Sequence, residues 1–362
     1  MLSAWQNAAL YEGRVVYSLT SNVSVVMQIA LLFLANVSVA STLIWVVASQ
    51  GTRDHRNDNY ISATRHSLSG TKREWTFGVC IFARNEGPHI LEWIAYHRVI
   101  GVTHFFVYDH GSHDETASVL APLVQSGTVI LHDVKHMNVR HVQGFIINDC
   151  LSKYKASVEW IAHFDVDEFL VPGPGHTLHS LFTTYAQTIS AMYVYRYDYL
   201  PSGFLEDPPP TLLDCQAFMQ RPSHINEHPK WVIRSRSSAW HSGGHNVVNN
   251  VTCGNAKGDV LQSCDGGTPA EDWMVPLFIA HHITRSVAAC KRKQAYNHEY
   301  FPGSWRTRQK SSYCDDLASS PAVMHPVSCA LFVKETLEQM YCLNSHYFTK
   351  RFGQPATIPT CV

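Results

Sequence analysis

The chain is 362 residues long, is 45% apolar and carries a formal net charge of −1. That length and apolar share suit a globular protein with a buried core and exclude a disordered chain. Near-neutral charge without a long Lys/Arg run excludes a nucleic-acid partner held mainly through phosphate contacts, which needs a concentrated basic patch. The ten cysteines form no Cys-x-x-Cys pair, which argues against a zinc knuckle or thioredoxin-type site. Most fall after residue 200 and suit disulfide staples in an oxidising compartment, whereas Cys80, inside an apolar run, reads as a buried thiol.

In chain order, residues 1–22 read as a tail and residues 23–48 as a transmembrane signal anchor. No charge occurs from Val15 to Thr52, and a span takes about 20 apolar residues. Gln28, Asn36 and several serines interrupt it. Arg14 precedes the span while Arg53, Arg56, Arg65, Lys72 and Arg73 follow it, so a positive-inside count alone places the following domain in the cytosol. The glycosylation acceptor Asn250-Val-Thr252 points the other way, to the lumen. Residues 49–74 are polar and aperiodic, a stem. The globular domain then covers residues 75–310, and residues 311–362 form a C-terminal extension.

Within the domain, apolar runs alternate with helical stretches. Strands are expected at Phe77–Ala83, Thr103–Tyr108, Thr128–His132 and Trp160–Phe164, with helices at Pro88–Ile100, Asp114–Gln125 and Val142–Tyr154. Ser112 to Glu115 has capping-box spacing for the second helix, and Gly101 closes the first. Past Pro172 the pattern breaks into prolines, glycines and aromatics, with a further strand at Tyr193–Tyr199 and a last helix at Ala330–Tyr341. The fold class is α/β, with a mixed, mainly parallel central sheet and helices on both faces.

The central clue is Asp165-Val-Asp167, since two carboxylates so spaced at the end of a buried strand can share a hard divalent cation, Mn²⁺ or Mg²⁺, that also binds phosphates. The spacing alone proves nothing, because a chain this long contains about one Asp-x-Asp by chance. Its context decides: the pair follows Trp160-Ile-Ala-His-Phe164, at the strand edge where open α/β sheets bind ligands. Arg84, Asn85 and Glu86 end the first strand on that edge, and Asp109 and Gly111 end the next. With Asp165 they are the candidates to hold a nucleotide, its ribose at Asp109 and its diphosphate near Arg84. Taken singly, each is also an ordinary turn residue.

Phe82 to His97, Gly101 to Asp114 and Trp160 to Phe169 resemble glycosyltransferase family 92, and the likeness thins towards Lys293. In the thinner part, Lys230 to Arg234 with His245, and His282 to Ser286, resemble later family elements. The sequence departs from the family's pattern at His281-His282-Ile283, at Val287 to Ala289 and in an insertion from Asn249 to Trp273. The resemblance implies a GT-A fold, a Golgi location with a lumenal catalytic domain, and inverting, manganese-dependent transfer of a hexose from UDP-galactose. The acceptor would be a glycan or glycoconjugate. Asp165 and Asp167 would hold the metal, with His245 or His282 completing it, and a carboxylate must deprotonate the acceptor hydroxyl. Glu271 and Asp272 are the candidates for that base, with Glu227 and Asp198 as alternatives. Two rival readings are a catalytically inactive, membrane-anchored glycan-binding or scaffold protein and a nucleotidyltransferase. The second usually carries a Gly-rich phosphate loop, which Phe77 to Gly87 is not.

Overall fold

The computed structural model describes residues 9–11, 14–16, 76–137, 142–200, 205–206, 219–237, 240–242, 246–248, 251–264, 276–282, 284–300, 312–319 and 333–361. The chain divides into two compact units, Met1–Thr71 and Lys72–Val362. Of the first, the described part is a hairpin of β1 (Ala9–Tyr11) and β2 (Arg14–Val16). The expected span at residues 23–48 lies outside the described residues, among which no helix is long and apolar enough to cross a membrane.

The second unit is built on a nine-stranded sheet. Its first strands are β3 (Phe77–Ala83), β4 (His104–Asp109), β5 (Val129–Asp133) and β6 (Trp160–His163), all mutually parallel in the order β5-β4-β3-β6. Helices α1 (Gly87–Val99), α2 (Thr116–Gln125) and α3 (Val142–Tyr154) connect them. Strand order runs outward from β3 to β5 and then returns past β3 to β6. Right-handed crossovers therefore place α1 and α2 on one face and α3 on the other. Cys80 of β3 faces α3 and is disulfide-bonded to Cys150, so the expectation of a free buried thiol is corrected. An apolar run marks burial but cannot show that a second cysteine waits 70 residues away.

Beyond β6 the sheet becomes mixed. It continues through β9 (Met219–Arg234), β8 (Ala191–Leu200), β13 (Leu277–His282) and β7 (Glu168–Pro172), with β12 (Cys253–Asn255) beside β8. Two short strands, β10 (Trp240–Ser242) and β11 (Asn246–Val248), pair separately. Strand β7 is an edge strand, and α1 covers it. Trp93 Nε1 donates to the Glu168 carbonyl at 2.7 Å, Tyr96 Oη to that of Leu170 at 3.0 Å, and His97 Nε2 accepts the Leu170 N–H at 3.2 Å. Backbone groups that no strand pairs are thus satisfied by side chains. Burial holds the His97 imidazole down at about 3, so it serves as a neutral bridge.

Helix α1 is buried on more than one side. Helix α7 (Val333–Leu343) of the C-terminal extension packs on it, and α8 (Ser345–Phe352) packs against α7. Tyr347 Oη donates to the Gly87 carbonyl at 3.1 Å, and Asn344 Nδ2 to that of Val119 at 3.1 Å. A helix covered by the sheet on one side and by helices on the other needs no polar face. The remaining helices are α4 (Leu178–Tyr185), α5 (Val287–Tyr300) and α6 (Tyr313–Ser319), with α5 tied to α6 by Cys290–Cys314.

Gly101 takes φ 109° where α1 ends, as expected of a closing glycine. The expected capping box at Ser112 does not form. The residue before α2 is Glu115, without a side-chain cap, and Ser112 is spent instead on the loop described below.

Candidate functional site

Strands β3 and β6 are neighbours whose outgoing connections leave in opposite directions, so a crevice opens beyond their C-terminal ends. Arg84 to Glu86 leave β3 at this crevice, and Phe164 to Asp167 leave β6 there, before the chain turns into β7.

The Asp pair is set by a closed turn. The Asp165 N–H donates to Glu168 Oε2 at 3.0 Å, and the Glu168 N–H donates to the Asp165 carbonyl at 2.9 Å. Glu168 is fully buried, a position a carboxylate occupies only when its charge is compensated. Arg196 of β8 meets its Oε1 at 2.8 Å and Lys230 of β9 its Oε2 at 3.0 Å. Lys230, itself only 1% exposed, also donates to Asp165 Oδ2 at 2.8 Å, while His163 Nε2 lies 3.5 Å from Oδ1. Burial alone would push the Asp165 carboxyl up, but Lys230 and His163 hold it well below the usual carboxylate range. Two carboxylates and two cations thus form a buried quartet that fixes Asp165 from beneath.

Asp167 faces a different set. Lys293 of α5 reaches its Oδ2 at 3.2 Å, and His281 Nε2 lies 3.8 Å from the same oxygen. Burial opposes ionisation here as well, yet Lys293 and His281 bring Asp167 down to about 2. The other nitrogen of His281 is 2.6 Å from Asp198 Oδ1. A carboxylate only accepts, so Nδ1 donates to Asp198 and Nε2 is the ring nitrogen turned towards Asp167. A carboxylate oxygen beside an imidazole nitrogen oriented by a second carboxylate is a donor pair that fits Mn²⁺ or Mg²⁺. Among the described residues no group of three or more His, Cys, Asp and Glu side chains is assembled for a metal. An ion of this kind commonly uses one or two carboxylates and takes further oxygens from substrate phosphates.

The other expected residues divide. His282, a candidate metal ligand, is buried with its ring edge-on to Phe169 at 5.4 Å and beside Tyr199 at 5.3 Å, and burial takes it down to about 3. Its backbone N–H donates to the Asp167 carbonyl at 2.8 Å. Successive residues of a strand face opposite sides, so on β13 it is His281, level with Asp198 of β8, that turns to the carboxylates. His245, Glu271 and Asp272 lie outside the described residues, as does the side chain of Glu227.

Asn85, Asp109 and Gly111 hold a loop. Asn85 sits at φ 57°, a left-handed conformation Asn tolerates, with its N–H on Ser112 Oγ at 2.8 Å and its Oδ1 accepting the His113 N–H at 2.8 Å. Asp109 Oδ1 accepts both the N–H and the hydroxyl of Ser112, at 3.0 and 2.5 Å. Gly111 is at φ 71°, and a Cβ there would lie 3.1 Å from Lys135. These contacts support the turn reading and leave Arg84 and Glu86 as the charged groups of that loop. The Arg84 guanidinium lies over Tyr296 of α5 at 5.4 Å. Glu86 stands 3.8 Å from Arg285, and burial raises its carboxyl to about 7. Arg285 also donates to the Val166 carbonyl at 3.0 Å.

Residues 76–249 match the model of glycosyltransferase family 92. The buried quartet and Asp167 lie within the matched segment, and His281, Arg285 and Lys293 lie beyond it. Similar proteins include the galactan beta-1,4-galactosyltransferase GALS3 of Arabidopsis thaliana, 39% identical over 26% of this chain and 20% of its own length. A glycosyltransferase family 92 protein of Ricinus communis is 34% identical over 25% of this chain and 16% of its own. The chain thus spans about a fifth or less of the curated relatives it matches. Among solved structures, Staphylococcus aureus TarS in complex with UDP is 14% identical at a TM-score of 0.29, covering 44% of this chain and 47% of that one. Glucosyl-3-phosphoglycerate synthase of Mycobacterium tuberculosis is 17% identical at a TM-score of 0.28, covering 44% and 57%. Both likenesses are slight.

Proposed function

We propose that the protein is a GT-A glycosyltransferase that moves galactose from UDP-galactose to a glycan or glycoconjugate acceptor with inversion at the anomeric carbon. The observation that carries this reading is the placement of Asp165 and Asp167 at the β3/β6 crevice of the segment that matches family 92, one fixed by buried cations and the other beside an oriented imidazole. Several relatives are named galactan beta-1,4-galactosyltransferases, which supports galactose as the sugar. A divalent cation bound at Asp167 and His281 would supply positive charge to the departing diphosphate. Lys230 and Arg196 hold Asp165 and Glu168 in place, so the turn keeps its shape when the nucleotide arrives. Asp198 orients His281, and Arg84 and Arg285 line the crevice on the β3 side. Glu271 and Asp272 remain the candidates for the base that takes the acceptor proton.

Four disulfides among the described residues support an oxidising compartment, in keeping with a single-pass Golgi protein whose anchor is at residues 23–48. The test is transfer and donor hydrolysis with UDP-galactose, UDP-glucose and GDP-mannose, with and without Mn²⁺, for the wild type and Asp167→Asn. The expected result is Mn²⁺-dependent turnover of UDP-galactose that the substitution lowers by about a hundredfold or more. A folded wild type that neither binds nor turns over any nucleotide sugar would establish the scaffold reading in its place.

A further inference from the structure

The two aspartates are each met by a lysine, but the lysines differ. Lys230 is buried in a strand and shared between two carboxylates, a permanent part of the fold. Lys293 is 55% exposed, extends from α5 and touches Asp167 at 3.2 Å. The backbone that carries it is held in place. Three residues earlier Cys290 ties α5 to α6, and the Ala289 N–H donates to Ser286 Oγ at 2.9 Å in the first turn of the helix. Three residues later Tyr296 lies under Arg84. Residues three apart share a helix face, so one face of α5 leans over both loops of the crevice.

An ammonium and a divalent cation cannot share one carboxylate oxygen without strong repulsion. The ion proposed at Asp167 must therefore displace Lys293, whose long flexible stem then carries a positive charge beside whatever anion that ion binds. Building on the donor site proposed above, we infer that Lys293 is a leaving-group cation. It occupies Asp167 in the free protein and moves to the diphosphate of a bound nucleoside diphosphate when a divalent ion takes that carboxylate. Positive charge placed there stabilises the negative charge that develops as the sugar–phosphate bond breaks.

This exchange predicts effects of opposite sign from one substitution. In calorimetric titration of the full-length protein with MnCl₂ alone, Lys293→Met should bind Mn²⁺ about threefold to tenfold more tightly than wild type, because a competing cation is gone. In titration with UDP at saturating Mn²⁺, the same variant should bind about tenfold more weakly, and Lys293→Arg should recover most of that loss. Since Lys293 is half exposed, neither variant should lower the melting temperature. Unchanged affinity for both ligands would make Lys293 an ordinary surface ion pair and overturn the inference while leaving the donor site intact. Tighter Mn²⁺ binding with unchanged UDP binding would also overturn it. A wild type that binds no UDP under either condition would remove the donor site itself, and the inference with it.

Discussion

Lys230→Met tests the buried quartet. Methionine keeps the volume and length of the stem and removes the ammonium, leaving Asp165 and Glu168 without a cation that now sits 2.8 and 3.0 Å away. Removing one partner of a buried pair costs about 3–5 kcal/mol, mostly from the charge left behind. Two features place this case at the low end. Arg196 still compensates Glu168 from its other oxygen, and a third of the Asp165 side chain meets solvent, which screens its share. The expected loss is about 3 kcal/mol, or roughly 6 °C or more in melting temperature for a domain of this size. Thermal unfolding followed by circular dichroism measures it, and pH supplies the control. The Asp165 pKa is depressed in the folded state, so its contribution is fully present above the unfolded value of about 4 and is lost as pH falls below that, towards the folded pKa. Without Lys230 burial raises the Asp165 carboxyl in the variant, so the gap between wild type and variant should be widest near pH 7 and narrow as pH falls through 4. A gap under about 1 kcal/mol at pH 7, or one that does not narrow in acid, would mean the quartet is hydrated and does not fix Asp165 as argued.

Three further measurements address the surrounding groups. His281→Ala and Asp198→Asn should each lower Mn²⁺ affinity, the second by about tenfold to a hundredfold, whereas His282→Ala should chiefly lower stability by about 2–4 kcal/mol; equal effects of the two histidines on Mn²⁺ titration would refute the assignment by strand face. Replacing Cys80 and Cys150 together by alanine opens a 70-residue loop and should cost about 4 kcal/mol in denaturant unfolding on loop entropy, and a loss below about 1 kcal/mol would show that the fold does not use the link. Because Glu86 is raised to about 7 in the folded protein, the folded state keeps a proton that the unfolded chain releases from about pH 4.5, so stability should decline as pH rises from 4.5 to 7. Glu86→Gln should flatten that slope in melts at pH 5 and 7.5, and identical slopes would remove Glu86 as its source.

The parts of the fold that were legible in sequence are those written locally. Strand β3 at Phe77–Ala83 and helix α3 at Val142–Tyr154 have the expected limits because continuous apolar runs and turn residues bound them. Strand β9 was not legible. Its 16 residues include Pro222 and Pro229 and follow no period, and it is a strand because β8 pairs with it on one side and β6 on the other. Strand β7 is likewise defined by β13 and by the side chains of α1. The Asp pair was readable from the buried run before it. Its partners were not, since Lys230 is 65 residues from Asp165 and Lys293 is 126 from Asp167. Lys230 left one trace, a lysine opening the apolar run Trp231-Val-Ile233, where a buried charge implies an unseen opposite charge. The histidines show the limit most clearly. His281 and His282 are equivalent in composition, and alternation along a strand says only that one faces the carboxylates and the other the core. The pairing of His281 with Asp198 across β13 and β8 decides between them, and that pairing belongs to the whole sheet rather than to either strand.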